Sequence, residues 1–258
     1  MPRVHDAHHL GGPALRAPAP AERQRARTIV ARLAKAYPDW GPTLAFTTPL
    51  ELLIATILAA QAQDERVNEV TRPLFARYRT PADWLRVPPA RLERLIKPTG
   101  FFRQKAKAVR GACQGLVERF GGEVPRTMDD LVTLHGVGRK TASIVLGNAF
   151  AVPSVAVDRH VARVALRLGL TRSEDPEVVE ADLQARLPRA QWVKATWCLV
   201  LHGRRVCRPT PECPACPVLA LCPYPKKTGT VSGRPGGSAT RRAPRATPPR
   251  AGGRPSRG

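Results

Sequence analysis

The sequence has no hydrophobic run long enough to cross a membrane, and its N-terminus lacks the apolar core of a signal peptide. None of its apolar stretches approaches the roughly 20 residues that a membrane-spanning helix needs. These absences argue against an integral membrane protein and against export, so we expect a cytoplasmic protein. In that compartment cysteines stay reduced unless they bind a metal.

Acidic residues are also scarce. The 258 residues include 42 Lys and Arg but only 20 Asp and Glu, which gives a formal net charge of +22. Residues 226–258 contain nine Lys and Arg, no carboxylate and hardly a large apolar side chain, and this composition predicts a disordered basic tail. Residues 1–20 are predicted to be a disordered extension. The remaining body is still basic, which favours a nucleic-acid partner over a charge that serves only solubility.

Alternating strand patterns and internal repeats are absent, and the hydrophobic periodicity is helical nearly throughout. Thr48-Pro49-Leu50-Glu51 is a predicted capping box that opens a buried helix running to Gln61. Gly121 and Gly203 are predicted to end helices. The predicted helices cover residues 21–36, 65–78, 82–87, 89–96, 102–120, 127–135, 139–150, 158–169, 176–186 and 190–202.

The segment "LHGVGRKTA", residues 134–142, contains glycines, a lysine and a threonine, as a phosphate-binding loop would. It is not such a loop, because the glycines are one residue apart, Arg139 precedes the lysine, and the segment before it is helical rather than a strand. A helix, a tight glycine turn and a second helix remain. The free amides of the second helix can bind a DNA phosphate. An ordinary glycine-capped hairpin is the alternative.

Lys140 and Asp158 are the candidate catalytic residues. Lys140 lies in the first turn of its helix, where the helix dipole disfavours a cation, and beside Arg139; both effects favour the free, nucleophilic amine. The alternative is a surface lysine at the rim of a DNA-binding face. Asp158 begins the next helix, as a plain N-cap or as a carboxylate that exchanges protons with Lys140. The sequence leaves the distance between them open.

Four of the six cysteines lie within sixteen residues, at Cys207, Cys213, Cys216 and Cys222. Four thiolates in one short loop can bind a metal centre, and this spacing leaves zinc and iron–sulfur nearly balanced. Cys113 and Cys198 stand alone in helical patterns and are expected in the core.

The segments "LHGVGRKTASIVLGNAF" and "AVDRHVARV" and the four cysteines together resemble the endonuclease III family of helix–hairpin–helix DNA glycosylases, over residues 24–225. The resemblance implies an all-α, two-lobed fold with a C-terminal iron–sulfur loop and a [4Fe–4S] cluster on the four cysteines. It implies that Lys140 is the nucleophile and that Asp158 assists it. The usual first cysteine gap is six residues, whereas this chain has five.

The same resemblance assigns residues to DNA. Gln61 corresponds to the glutamine that enters the duplex where the base has left, and Phe101 corresponds to the residue that wedges into the base stack. A polar helix end and core packing are the respective alternatives. The hairpin would contact the backbone through His135, which stands where a proline is common, and through further residues of the turn. These are Gly136, Val137, Gly138, Arg139 and Thr141.

The implied function is a bifunctional DNA glycosylase and AP lyase that removes oxidised pyrimidines. Implied partners are double-stranded DNA with a damaged base or an abasic site, bound by a monomer at the nucleoid. The alternatives are an enzyme with another lesion range, one acting mainly on abasic sites, and a non-catalytic DNA-binding module. We expect a helical bundle at 45–155 and a cluster domain of 21–44 plus 156–225.

Overall fold

The computed structural model describes residues 17–229, and the predictions for residues 1–16 and 230–258 lie outside this range. Within it all regular structure is helical, which confirms the all-α prediction, and no helix there is long and apolar enough to span a membrane. The α-helices are α1 (Pro20–Ala36), α2 (Pro49–Leu58), α3 (Asp64–Arg77), α4 (Pro81–Arg86), α5 (Pro89–Ile96), α6 (Phe102–Phe120), α7 (Met128–Val132), α8 (Arg139–Ala149), α9 (Arg159–Arg167), α10 (Pro176–Arg186) and α11 (Trp192–Arg205).

Several helices begin at a threonine whose hydroxyl replaces a missing backbone partner. Thr127 Oγ1 accepts a hydrogen bond from the amide of Asp130 at the start of α7. At α2, Thr48 Oγ1 accepts from the amide of Glu51, but the Glu51 carboxylate bonds the amide of Thr47 instead of Thr48. The predicted capping box is therefore only half formed.

Three predicted helix ends were wrong. The helix α2 ends at Leu58 rather than Gln61, and α7 ends at Val132 rather than at residue 135. The helix α11 runs through Gly203 to Arg205. A Cβ on Gly203 would lie 2.9 Å from the Cβ of His160, so this glycine allows α11 to pack closely on α9 instead of ending a helix.

Residues 17–229 form two hydrophobic cores. The first, which we call the bundle lobe, is formed by α2–α8 around buried side chains such as Leu53, Trp84 and Leu116. The second lobe combines α1 with α9–α11 and the cysteine loop, around residues such as Leu33, Val164 and Leu199. The helix α1 thus packs with helices that follow the bundle in the chain, and the two lobes lie against each other along a boundary.

Side chains join the lobes across this boundary. The indole nitrogen of Trp197 on α11 donates to the amide oxygen of Asn148 on α8 at 3.0 Å. Gly147 permits close approach there, because a Cβ would lie 2.8 Å from Cγ2 of Val193. The helix α8, which begins with "RKT", is thereby packed against both cores.

Candidate functional site

A cleft of about 850 Å³ lies at the boundary of the two lobes. The bundle lobe lines it with the segment after α2 and with one face of α8. The second lobe lines it with the segment before α9 and with α11. Ionisable side chains from both lobes face this space, and they are Asp64, Lys140, Asp158, Arg159, His160 and Arg204.

Lys140 projects from the first turn of α8, and its side chain is exposed. The opposite face of this helix is anchored by Ala142 and Val145, both fully buried in the bundle core. The first i→i−4 bond of the helix joins the amide of Ala142 to the carbonyl of Gly138 at 3.0 Å. The amides before Ala142 therefore precede the helical ladder, and their positive end faces the same region as the lysine.

The two glycines in the turn before α8 are there for different reasons. Gly136 has a φ of +77°, and a Cβ there would lie 2.5 Å from the Cβ of Ala108 on α6, so glycine is required by the fold itself. A Cβ on Gly138 would meet no atom of the described chain within 4 Å. The Val137 side chain is buried and its amide donates to Leu134, so neither is available to DNA.

Asp158 is the N-cap of α9. Its Oδ1 accepts hydrogen bonds from the amides of His160 and Val161, both at 2.8 Å. These bonds fix the carboxylate at the wall of the cleft that also contains Lys140. Within residues 17–229 the two side chains form no ion pair, so each faces the cleft separately.

Arg139, which the sequence assigned to DNA, pairs with a carboxylate of the second lobe. Its Nε and Nη2 donate to the two carboxylate oxygens of Glu180 on α10, at 2.7 and 3.1 Å. This bidentate bond holds the pKa of Arg139 above its usual range. The pair ties the start of α8 to the second lobe. Glu180 is 41 residues away in sequence, and no local pattern indicated it.

Gln61 and Phe101 share an unusual backbone conformation. Between residues 17 and 229, positive φ angles outside glycine occur at Gln61 (+53°), Phe101 (+46°) and Ala151 (+54°). Such strain is costly and concentrates at functional sites. Gln61 is exposed and lines the cleft, and Phe101 is 59% exposed at the N-cap of α6. The neighbouring Phe102 is the residue that packs on the bundle core.

The other two predicted hairpin residues face different ways. Thr141 lines the cleft beside Lys140. His135 lies against α6, where a Cβ on Gly111 would be 2.8 Å from the histidine Cβ, and it faces a second groove.

Two cleft residues received no catalytic role from the sequence. Asp64, at the start of α3, accepts from Thr43 Oγ1 and from both terminal nitrogens of Arg204 at 3.4 Å. This contact links the lobes across the cleft. His160 has its pKa lowered by burial, and its Nδ1 lies 3.2 Å from Nη2 of Arg163. Its position in the first turn of α9 was visible in the sequence, but its place at the cleft was not.

The four predicted metal ligands lie together in the loop after α11. Cys207 and Cys213 are buried, Cys216 and Cys222 are half-buried, and burial and the other three thiols raise the pKa of Cys216. In the described part of the chain, no three His, Cys, Asp or Glu side chains are grouped so that they could hold one metal ion. Cys113 and Cys198 are buried in the two cores, as expected.

Arginines rather than a large apolar interior hold this loop. Arg167 donates to the carbonyls of Arg208 and Pro209, at 2.6 and 2.8 Å, and lies 3.5 Å from Cys207 Sγ. Arg163 donates to the Cys207 carbonyl at 3.1 Å. On the other side, Arg25 of α1 donates to the carbonyl of Leu221 at 2.6 Å.

A buried polar group lies beneath the same loop. His202 Nδ1 is 2.8 Å from the hydroxyl of Tyr37, and its Nε2 is 3.6 Å from Cys216 Sγ. Burial lowers the pKa of His202 to about 4. Burial, and next the Cys216 thiol, raise the pKa of Tyr37 to about 12, so both groups are neutral near pH 7.

Comparison with known proteins agrees with this arrangement. Residues 54–189 match the family described as "HhH-GPD superfamily base excision DNA repair protein". The chain is 46% identical over 205 residues to an endonuclease III from Synechocystis, which covers 79% of this chain and 94% of the relative. The endonuclease III of Escherichia coli is 38% identical over 200 residues, covering 77% of this chain and 95% of the relative.

Solved structures give the same result. A trapped endonuclease III–DNA covalent intermediate superimposes with a TM-score of 0.74 at 42% identity, covering 78% of this chain and 96% of that chain. A thermostable thymine-DNA glycosylase is similar in fold, with a TM-score of 0.72 at 23% identity, covering 79% of this chain and 98% of that chain.

Proposed function

The chain belongs to the endonuclease III family within the helix–hairpin–helix glycosylases, and on that premise we propose that it is a bifunctional DNA glycosylase and AP lyase of base-excision repair. The observation that carries the proposal is one cleft lined by both Lys140 and Asp158. An amine at the start of a helix whose amides attract phosphate is suited to attack a sugar beside the DNA backbone.

The reaction begins with a damaged nucleotide turned out of the duplex into the cleft. The Lys140 nitrogen donates its electron pair to C1′ as the bond from C1′ to the base breaks. The base leaves with the electrons of the broken bond and takes up a proton. Asp158, fixed in position by hydrogen bonds from two backbone amides, stabilises the positive charge that develops and receives the proton lost by the attacking amine.

Strand cleavage follows from the resulting imine. Opening of the sugar ring gives a Schiff base between Lys140 and C1′, which acidifies the proton on C2′. Removal of that proton forms a C2′–C3′ double bond and expels the 3′ phosphate with its bonding electrons. Water then hydrolyses the Schiff base and releases Lys140. We assign oxidised pyrimidines as the substrate bases.

The exposed, strained residues support the DNA contacts. We assign Phe101 as the wedge that opens the stack and Gln61 as the side chain that fills the space left by the base. The glycine turn and the first amides of α8 bind the backbone, whereas Arg139 stabilises the lobe boundary. We expect a monomer that acts in the cytoplasm at the nucleoid.

We also propose that Cys207, Cys213, Cys216 and Cys222 hold a [4Fe–4S] cluster. The donor set fits, because Cys207, Cys213, Cys216 and Cys222 lie in one short loop and four cysteine thiolates are the ligands that such a cluster takes. When bound, the cluster supplies a rigid centre for a loop that has little apolar interior. Arg204, Arg205 and Arg208 of this region are paired with Asp64, Asp39 and Glu212, so a contact with phosphates would require these ion pairs to open.

Borohydride trapping on DNA with an abasic site or thymine glycol tests the enzymatic proposal. We expect a covalent protein–DNA adduct that is lost in Lys140→Gln and retained in the control Lys35→Gln, an exposed lysine of α1. Absence of an adduct from folded wild-type protein would refute the enzymatic proposal.

Iron and sulfide analysis tests the cluster proposal, and colourless protein with one zinc would contradict it.

A further inference from the structure

A second groove, of about 670 Å³, runs along α6 and shares no lining residue with the catalytic cleft. One wall is α6 itself, and the other is formed by the segment from Leu85 to Glu93 and by the hairpin residues Thr133 and His135. Gly111 and Gly115 on α6 leave room for this wall to approach. We refer to this feature as the α6 groove.

The α6 groove is positively charged. Arg103, Lys107, Arg110 and Arg119 line it, against the carboxylates of Glu93 and Glu118. Its formal charge is thus +2, compared with +1 for the catalytic cleft, where three cations face two carboxylates.

Two of the four cations are held by the protein. Arg110 donates to the carbonyls of Leu85 and Val87, and Arg119 donates to Thr133. Arg103 and Lys107 differ, because both are exposed and lie four residues apart, on one face of the helix. A ligand in the groove would therefore meet two exposed cations above a fixed basic wall; one of them, Arg103, lies over the Phe102 ring at 5.7 Å.

The position of the groove identifies the ligand. Phe101, which we assign as the wedge, immediately precedes α6, and His135 of the DNA-binding hairpin lies against the middle of the same helix. A duplex that touches both elements must pass beside α6. The helix has 19 residues, about 28 Å, which corresponds to roughly eight base pairs of B-DNA.

We propose that the α6 groove binds the phosphate backbone of the same duplex to one side of the lesion, with Arg103 and Lys107 as its phosphate contacts. The proposal rests on the proposed function, since the wedge and hairpin place the DNA. It extends the footprint beyond the catalytic cleft, and it assigns the groove affinity without base specificity.

Salt dependence of DNA binding tests this proposal. The full chain and the double variant Arg103→Gln, Lys107→Gln would be compared on a 25-base-pair duplex with a tetrahydrofuran abasic analogue and on the same duplex without damage. Loss of two phosphate contacts lowers the slope of log Kd against log salt concentration by about 1.8. The control Arg27→Gln, Arg32→Gln removes two exposed cations from α1 and is expected to change the slope by less than half as much.

Duplex length locates the contacts. Shortening the arm on the groove side of the lesion to about three base pairs removes the backbone that α6 would reach. The wild-type slope should then fall to that of the double variant, whereas shortening the other arm should leave their difference intact. Equal slopes for wild type and double variant on the long duplex, or an equal loss in the α1 control, would overturn the proposal. Borohydride trapping of the double variant reports the lyase reaction separately. Loss of trapping in the wild-type protein would therefore count against the proposed function, and an unchanged salt slope in the double variant would count against the groove.

Discussion

The bundle lobe and the cysteine loop are stabilised by different means. The bundle surrounds Leu53, Trp84 and Leu116 with packed helices, and all three side chains are fully buried. The loop from Val206 to Pro225 has only two one-turn 3₁₀ segments, and arginine side chains hold it through hydrogen bonds to its backbone carbonyls. The difference shows that Lys140 stands on a lobe with a packed apolar core, whereas the loop depends on polar bonds from neighbouring helices.

The largest expected effect is on the packed core of the bundle lobe. Leu53→Ala removes a fully buried side chain from the bundle and should lower the free energy of unfolding by about 2–5 kcal/mol. Chemical denaturation followed by circular dichroism measures the change. The exposed-surface control Val117→Ala should change stability by less than about 0.5 kcal/mol. Equal effects of the two substitutions would mean that the bundle core is not tightly packed around Leu53.

A second pair of substitutions separates folding from DNA binding within the bundle. In Gly136→Ala the new alanine must adopt the positive φ of this position, and its Cβ would lie 2.5 Å from the Cβ of Ala108. We therefore expect the free energy of unfolding to fall by about 1–3 kcal/mol. A Cβ at Gly138 meets open space, so Gly138→Ala should lower stability only by the N-cap preference for glycine over alanine, less than about 1 kcal/mol. It should nevertheless weaken DNA binding, because the new methyl group stands beside the amides of α8. Filter binding together with thermal melts measures both; unimpaired binding by Gly138→Ala would argue against the amide contact.

A smaller effect is expected at the cysteine loop. Arg167→Gln removes the guanidinium that bonds the carbonyls of Arg208 and Pro209, and should destabilise the loop by about 1–2 kcal/mol. We expect faster loss of iron to a chelator with little change in the bundle's unfolding midpoint. Arg172→Gln, at an exposed position before α10, is the matched control. Cooperative loss of the bundle in the Arg167 variant would show that the two regions are not independent.

Local sequence determined most of the fold. The helices, the threonine caps and the Gly121 stop follow from periodicity and capping chemistry, and the left-handed Gly121 at +58° confirms that stop. Gly203 was misread because its role is contact with His160 on another helix, which no local pattern shows.

Candidate site residues could be proposed where they lie in short motifs. Lys140, Asp158 and the four cysteines could be named because each belongs to such a motif. The pairing of Arg139 with Glu180, and of Asp64 with Arg204, joins residues 41 and 140 positions apart. Such pairs depend on how the lobes meet. The hairpin prediction also treated every turn residue alike, whereas packing buries Val137 and leaves Gly138 open.

Peptide mapping of the borohydride-trapped adduct tests the central claim most directly. Trapped wild-type protein would be digested with protease and nuclease, and the sugar-modified peptide identified by mass spectrometry. The account predicts that the modification lies on Lys140, in the peptide that contains the start of α8. Modification of another lysine, or of the N-terminal amine, in protein that cleaves abasic DNA at full rate would contradict it.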